Sequence, residues 1–219
     1  MAIIICLETA TTNCSVGIAK DGEIIAIKED NSPGYSHAEK LHVFIDEILK
    51  EANLKPGDLD AVAVSKGPGS YTGLRIGVSA AKGLCFSLDI PLISVPTLEL
   101  LALQLKDEEG FKVPMIDARR MEVYSAVYNN NIEEIRKTEA QILEENSFEK
   151  YLSEDKVHFI GNGVSKFENI CTHKNAIFHI QKFPSAKQMG RIAEEKHQKS
   201  DTEDVAYFEP YYLKDFIAG

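Results

Sequence analysis

The chain opens on a run of apolar residues, Ile3-Ile4-Ile5-Cys6-Leu7, closed by Glu8 and a threonine-rich turn, and a second run follows over residues 14–19. Gly22 then starts a third, Glu23–Lys28. Runs of this length between turn residues predict strands, so the beginning reads as a hairpin feeding a three-stranded meander. After the charged break Lys106-Asp107-Glu108-Glu109-Gly110 the order returns: Val113-Pro114-Met115-Ile116-Asp117, a short turn, Glu122–Tyr128, then Asn129-Asn130-Asn131 and another short run. Glu8 and Asp117 end the matching first strands. Between the hairpins the pattern predicts a helix over 37–53, a strand over 60–66, a helix over 72–88, a strand over 91–95 and a helix over 97–105. The second half continues with a strand over 157–161, the turn Gly161-Asn162-Gly163, a helix, a strand near 177–180 and a helix over 185–198; segment 132–156 has no clear period and receives no assignment. Strands alternating with helices require mixed sheets covered by helices, an α/β chain, which we divide at 1–105 and 106–219.

The two main helices differ in character. In the first, Ser36 and Glu39 form an S-x-x-E capping box that fixes the start. On its wheel Ala38, Leu41, Phe44, Ile45, Ile48, Leu49 and Ala52 share one arc of roughly 140°, with most charges opposite. In the second, Arg75 and Lys82 occupy one narrow stripe, Leu74, Val78, Ala81, Leu84, Cys85 and Leu88 cover much of the rest, and Ile76 and Phe86 lie off the main arc. A helix so nearly apolar all round must be covered on more than one side. Interior glycine costs up to about 1 kcal/mol against alanine, so Gly77 and Gly83 suggest that another backbone approaches closely. Cover from the sheet and the first helix, or from a partner protein, both satisfy this pattern.

Composition narrows the function classes. With 219 residues, 44% of them hydrophobic, the chain can bury a core without staples. Cys6, Cys14, Cys85 and Cys171 show neither a C-x-x-C pair nor regular spacing, which predicts no zinc site or disulfide framework and a reducing compartment, the cytoplasm. The start lacks a basic region and its apolar run is short, so no signal peptide or membrane span is expected. A net charge of −10 argues against the chain gripping nucleic acid unaided. His37 and His42 are five residues apart and about 140° apart on a helix, which does not make a metal pair. The stretch Gly67-Pro68-Gly69 to Gly73, between a strand and a helix, fits a phosphate cradle or a tight turn; no Gly-Lys-Ser/Thr follows it, so it is not a Walker loop.

The segment Ala61-Val62-Ala63-Val64-Ser65-Lys66-Gly67-Pro68-Gly69-Ser70-Tyr71-Thr72-Gly73-Leu74-Arg75-Ile76-Gly77, read with Ile5-Cys6-Leu7-Glu8-Thr9-Ala10-Thr11-Thr12 and Ser36-His37-Ala38-Glu39-Lys40-Leu41, closely resembles the TsaB (YeaZ) family of bacterial tRNA-modification proteins. The resemblance covers residues 3–128 and thins beyond, apart from Tyr211-Tyr212-Leu213. It implies two tandem actin-like subdomains of the ribonuclease H-like superfold, each a mixed sheet flanked by helices. It also implies a non-catalytic adaptor in synthesis of tRNA N6-threonylcarbamoyladenosine: a heterodimer with the transferase TsaD, reached by the ATPase TsaE, a homodimer when alone, meeting tRNA indirectly and no membrane. Family members pair through these two helices in a four-helix bundle, which makes Leu41, Phe44, Ile45, Ile48, Leu74, Arg75, Gly77, Val78 and Ala81 the interface candidates. The resemblance implies no catalytic residue, metal or cofactor of its own, with ATP admitted only at the interface of the complex.

In active members of that superfold a hairpin acid and the small residues after it hold metal and nucleotide phosphates. The positions here, as candidate vestigial contacts, are Glu8, Thr9, Thr11, Thr12, Gly67, Gly69 and Asp117. The second hairpin, Asp117-Ala118-Arg119-Arg120-Met121-Glu122, is bulky and basic, and its arginines fit structural ion pairs or contact with a partner or RNA. The competing reading is an enzyme, a nucleotide-dependent phospho- or carbamoyltransferase or a peptidase-like hydrolase, acting in an interdomain cleft.

Overall fold

The computed structural model describes residues 2–32 and 37–214. In chain order it contains β1 (Ile3–Glu8), β2 (Cys14–Lys20), β3 (Glu23–Asp30), α1 (His37–Glu51), β4 (Ala61–Gly67), α2 (Tyr71–Leu88), β5 (Leu92–Pro96), α3 (Thr97–Leu103), β6 (Phe111–Asp117), β7 (Glu122–Tyr128), β8 (Glu134–Ile142), α4 (Glu149–Leu152), β9 (Val157–Gly161), α5 (Val164–Glu168), β10 (Ala176–Ile180) and α6 (Met189–Gln198). The strands form two five-stranded mixed sheets, β3-β2-β1-β4-β5 and β10-β9-β6-β7-β8, each with an antiparallel meander joined to parallel strands. This is the tandem architecture expected from the repeated hairpin. Segment 132–156, left unassigned above, supplies β8 and α4; β8 is an edge strand whose exposed and half-buried residues blur the alternation.

The chain divides into two compact units, residues 1–97 with 184–219, and residues 98–183. The cut expected at 105/106 thus differs on two counts. Helix α3 packs Leu98, Leu101 and Ala102 against Ile116, Ala126 and Ile160 of the second sheet, and α6, expected in the second half, packs across β1, β2 and β5 of the first. Helical periodicity shows that a face is buried but not which sheet buries it.

In unit 1 one face of the sheet, with Ile5, Leu7, Val16, Ile18, Val62 and Val64, packs against Leu41, Ile45 and Ile48 of α1 and Val78, Ala81 and Cys85 of α2. In unit 2 Val113, Met115, Val123, Val157 and Phe159 carry the core, with Phe148, Phe159, Phe167 and Phe178 in edge-to-face and stacked ring contacts. Helix α1 begins at His37; the capping box residue Ser36 lies outside the described residues.

Candidate partner-docking site

The turn after β1 and the start of α2 lock together through missing side chains. A Cβ on Gly69 would overlap the Ala10 carbonyl, one on Gly73 the Thr9 carbonyl, and one on Gly77 the Thr9 hydroxyl. Across these contacts the Ser70 amide donates to the Ala10 carbonyl at 2.7 Å and the Thr9 hydroxyl donates to the Gly73 carbonyl at 2.8 Å. Ser70 caps α2, accepting from the Gly73 amide at 3.2 Å. Gly67, at φ 107°, meets the Tyr211 carbonyl oxygen 2.8 Å from where its Cβ would stand. Gly67, Gly69 and Gly73 of the glycine-rich stretch are thus packed against the chain's own backbone, a structural use of the positions expected to meet phosphate. The close backbone expected at Gly77 is instead the Thr9 side chain, and Gly83 has nothing within 4 Å.

Most candidate residues of the first hairpin are equally enclosed. Glu8, Thr9 and Thr11 are buried. Glu8 accepts the Ala10 amide at 2.6 Å, and burial pushes its carboxyl up to about 7 against the pull of that amide, the Ser65 hydroxyl and the Thr9 amide. Thr11 accepts from the Asn13 amide at 3.4 Å, and Thr12, half-buried, donates to Asn31 at 2.8 Å. His37 is buried, with Nε2 2.7 Å from the Thr11 carbonyl oxygen, so it joins α1 to the same turn. Asp117 belongs to unit 2, exposed and paired with Lys166 at 2.9 Å. The structure brings Glu8, Thr9, Thr11, Gly67 and Gly69 together as a packed junction. Among the described residues no three His, Cys, Asp or Glu side chains converge in a geometry suited to a metal ion.

The interface candidates also need correction. Leu41, Ile45, Ile48, Leu74, Gly77, Val78 and Ala81 are buried, Phe44 is half-buried against the same core, and Arg75 alone is exposed. The apolar arc of each helix points at the sheet, which takes its centre. What remains outside is the shoulder of each arc. Between α1 and α2 lies an open groove of about 560 Å³ lined by Ala38, His42, Arg75, Ile76, Ser79, Ala80, Gly83 and Leu84. Small residues dominate its floor, and Ile76, off the main arc in the sequence, was the one signal pointing to it.

The Arg75 and Lys82 stripe is bordered by residues 206–212, whose contacts follow α2 in reverse order. Lys82 donates to the carbonyls of Ala206 and Phe208 at 3.0 and 3.1 Å, Arg75 donates to the Tyr212 hydroxyl at 3.3 Å, and the Tyr71 and Tyr212 rings meet at 4.8 Å. The Tyr211 amide bonds the Lys66 carbonyl at 2.7 Å, and Ser94 donates to Glu203 at 2.5 Å. Thus α2 is enclosed by sheet, α1 and this closing segment, leaving one ridge free: Thr72, Arg75, Ser79, Gly83 and Phe86, the last 85% exposed.

Two five-stranded mixed sheets with helical cover place the chain in the actin-like class, and solved structures agree in fold: YeaZ from Pseudomonas aeruginosa superposes with a TM-score of 0.85 at 25% identity over 97% of this chain and 100% of that one. A second Pseudomonas aeruginosa structure, of an uncharacterised protein with similarity to peptidase YEAZ, gives 0.86 at 24% identity over 98% and 100%. Residues 33–218 match the family model described as TsaD, tRNA N6-adenosine threonylcarbamoyltransferase. Among curated relatives, the tRNA threonylcarbamoyladenosine biosynthesis protein TsaB of Escherichia coli is 31% identical over 98% of this chain and 96% of its own length, and that of Haemophilus influenzae 30% identical over 98% and 94%. The Bacillus subtilis protein of the same name is 40% identical over 56% of this chain and 54% of its own. The chain belongs to the TsaB family.

Proposed function

We propose that this chain is a non-catalytic adaptor in the synthesis of tRNA N6-threonylcarbamoyladenosine, and that it docks a TsaD partner on the outer side of α1 and α2. The observation that carries this reading is the open groove between the two helices, with Gly83 facing empty space on the exposed ridge of α2. Small residues on a helix face let another helix approach closely, and a half-buried apolar groove of this size is the kind of surface an amphipathic helix covers. The packed junction around Glu8 supports the adaptor reading, since the turn that would receive phosphates is occupied by α2. In this reading the chain works in the cytoplasm, brings no cofactor, leaves ATP and TsaE to the assembled complex, and pairs with itself through the same ridge when TsaD is absent. No helix among the described residues is long and apolar enough to cross a membrane.

Size-exclusion chromatography with light scattering tests the reading on the chain mixed with TsaD of its own organism. A heterodimer is expected from the native chain and none from Gly83→Arg. That variant fills open space on an exposed helical position, so it keeps a cooperative melt. ATP turnover by the isolated chain, abolished in Glu8→Ala, would overturn the adaptor in favour of a nucleotide-dependent transferase.

A further inference from the structure

The hairpin joining β6 to β7 in unit 2 holds two cations in an uncommon way. Arg119 and Arg120 follow one another in left-handed backbone, at φ 71° and 48°, where glycine or asparagine is the low-cost residue. The base of the hairpin is clamped without them. The Asp117 carboxylate accepts the Arg119 amide at 2.6 Å and the Lys166 ammonium at 2.9 Å, Lys166 also donates to the Glu122 carbonyl at 2.9 Å, and the Glu122 amide donates to the Arg119 carbonyl at 3.1 Å.

Neither arginine side chain takes part in these bonds. Both residues are exposed, and among the described residues neither guanidinium has a hydrogen bond or ion pair, whereas Arg75, Arg136 and Arg191 each hold a partner. Glu144 and Glu145 follow Leu143, whose amide bonds the Met121 carbonyl, yet they pair with neither arginine. A chain with 34 acidic against 24 basic residues thus leaves two adjacent exposed guanidiniums with no ion pair among the described residues.

A guanidinium stays charged and presents a planar fork that matches phosphate oxygens bidentately. We propose that the Arg119–Arg120 tip is a direct contact for the phosphodiester backbone of RNA. The proposal rests on the role in tRNA modification proposed above, and it adds a direct contact where an acidic chain predicts only an indirect one. Two cations on a projecting turn neutralise one or two phosphates while the acidic surface stays clear of the polyanion, and contacts of this kind position RNA without reading its sequence.

The test is fluorescence anisotropy of a labelled, unmodified tRNA transcript titrated with the assembled complex of this chain and TsaD across a range of salt. The double variant Arg119→Gly, Arg120→Gly relaxes the turn, so its melting temperature should equal or exceed that of the native chain. Its RNA affinity should fall on the order of tenfold, and the slope of log K against log salt should drop by ~1–2. Restoring charge with lysine at both positions should restore the slope and part of the affinity. Unchanged affinity and slope in the glycine variant overturn the proposal, and a lowered melting temperature does so in favour of a structural role. Loss of the complex by light scattering overturns it in favour of an acidic protein surface as the ligand. If the native chain forms no complex at all, the adaptor reading falls and this proposal with it; a normal complex whose RNA binding ignores the variant removes this proposal alone.

Discussion

Glu8 shows how a single buried carboxyl ties stability to pH. An exposed glutamate titrates near 4.5, and here burial raises the value to about 7. Between those limits the folded chain keeps a proton that the unfolded chain has released, so stability falls as pH rises through that window and stays at the lower level above it. The shift corresponds to roughly 3 kcal/mol at most. Glu8→Gln keeps the shape without the ionisation; urea unfolding should find it equal to the native chain at pH 4 and more stable by roughly 2–3 kcal/mol at pH 8. Equal stability at both values would mean that Glu8 is well solvated in the fold. The thiols of Cys6, Cys14 and Cys85 are displaced in the same sense by burial, to about 12, 11 and 11, and so are poor nucleophiles at neutral pH.

At the scale of an element, α2 separates two uses of glycine that look alike in sequence. Gly73 sits against the Thr9 carbonyl, which cannot yield without moving the β1 turn, so Gly73→Ala should cost several kcal/mol by forcing backbone apart. Gly83 meets nothing, and Gly83→Ala should stabilise by about 1 kcal/mol through helix propensity alone. Thermal melts of the pair should move in opposite directions, and a common direction would refute the packing described for the β1 turn. Val78→Arg belongs with the first kind: Val78 is 4% exposed in the core, so the variant should fail to fold instead of merely losing a partner. The apolar period of α1 and α2 was legible, and so were their ends within a few residues. Which shoulder of each arc stays open was not, because a wheel ranks faces by polarity while the sheet, α1 and the closing segment decide cover by position. Ile76 and the Arg75–Lys82 stripe were the only local marks of that division.

On the scale of the whole molecule, the repeated hairpin made the two sheets legible, down to β1 and β6 as matching first strands. The assignment of 184–214 to unit 1 was not, since nothing in residues 203–213 has a period; the segment is held by two carbonyls and the Tyr212 ring contacted from α2, and by the Glu203 and Tyr211 amides bonded to Leu92 and Lys66. Ending the chain after Ser200 should therefore expose Val205 and Phe208 contacts on the core and uncover the β5 edge at Leu92. Hydrogen exchange should quicken in α2 and β5 and stay unchanged in β6, β7 and β9, and an unchanged α2 would show that the closing segment adds nothing to it.

The arrangement of unit 1 from two stretches of chain sets an order of events during synthesis. Residues 98–183 are continuous and can close as soon as they leave the ribosome, but the sheet before them must wait for α6 and the closing segment. The flank of α2 beside the ridge proposed to meet a partner is therefore covered last, when residues 206–212 reach Arg75 and Lys82, and unit 1 closes in an order that runs against the order of its sequence.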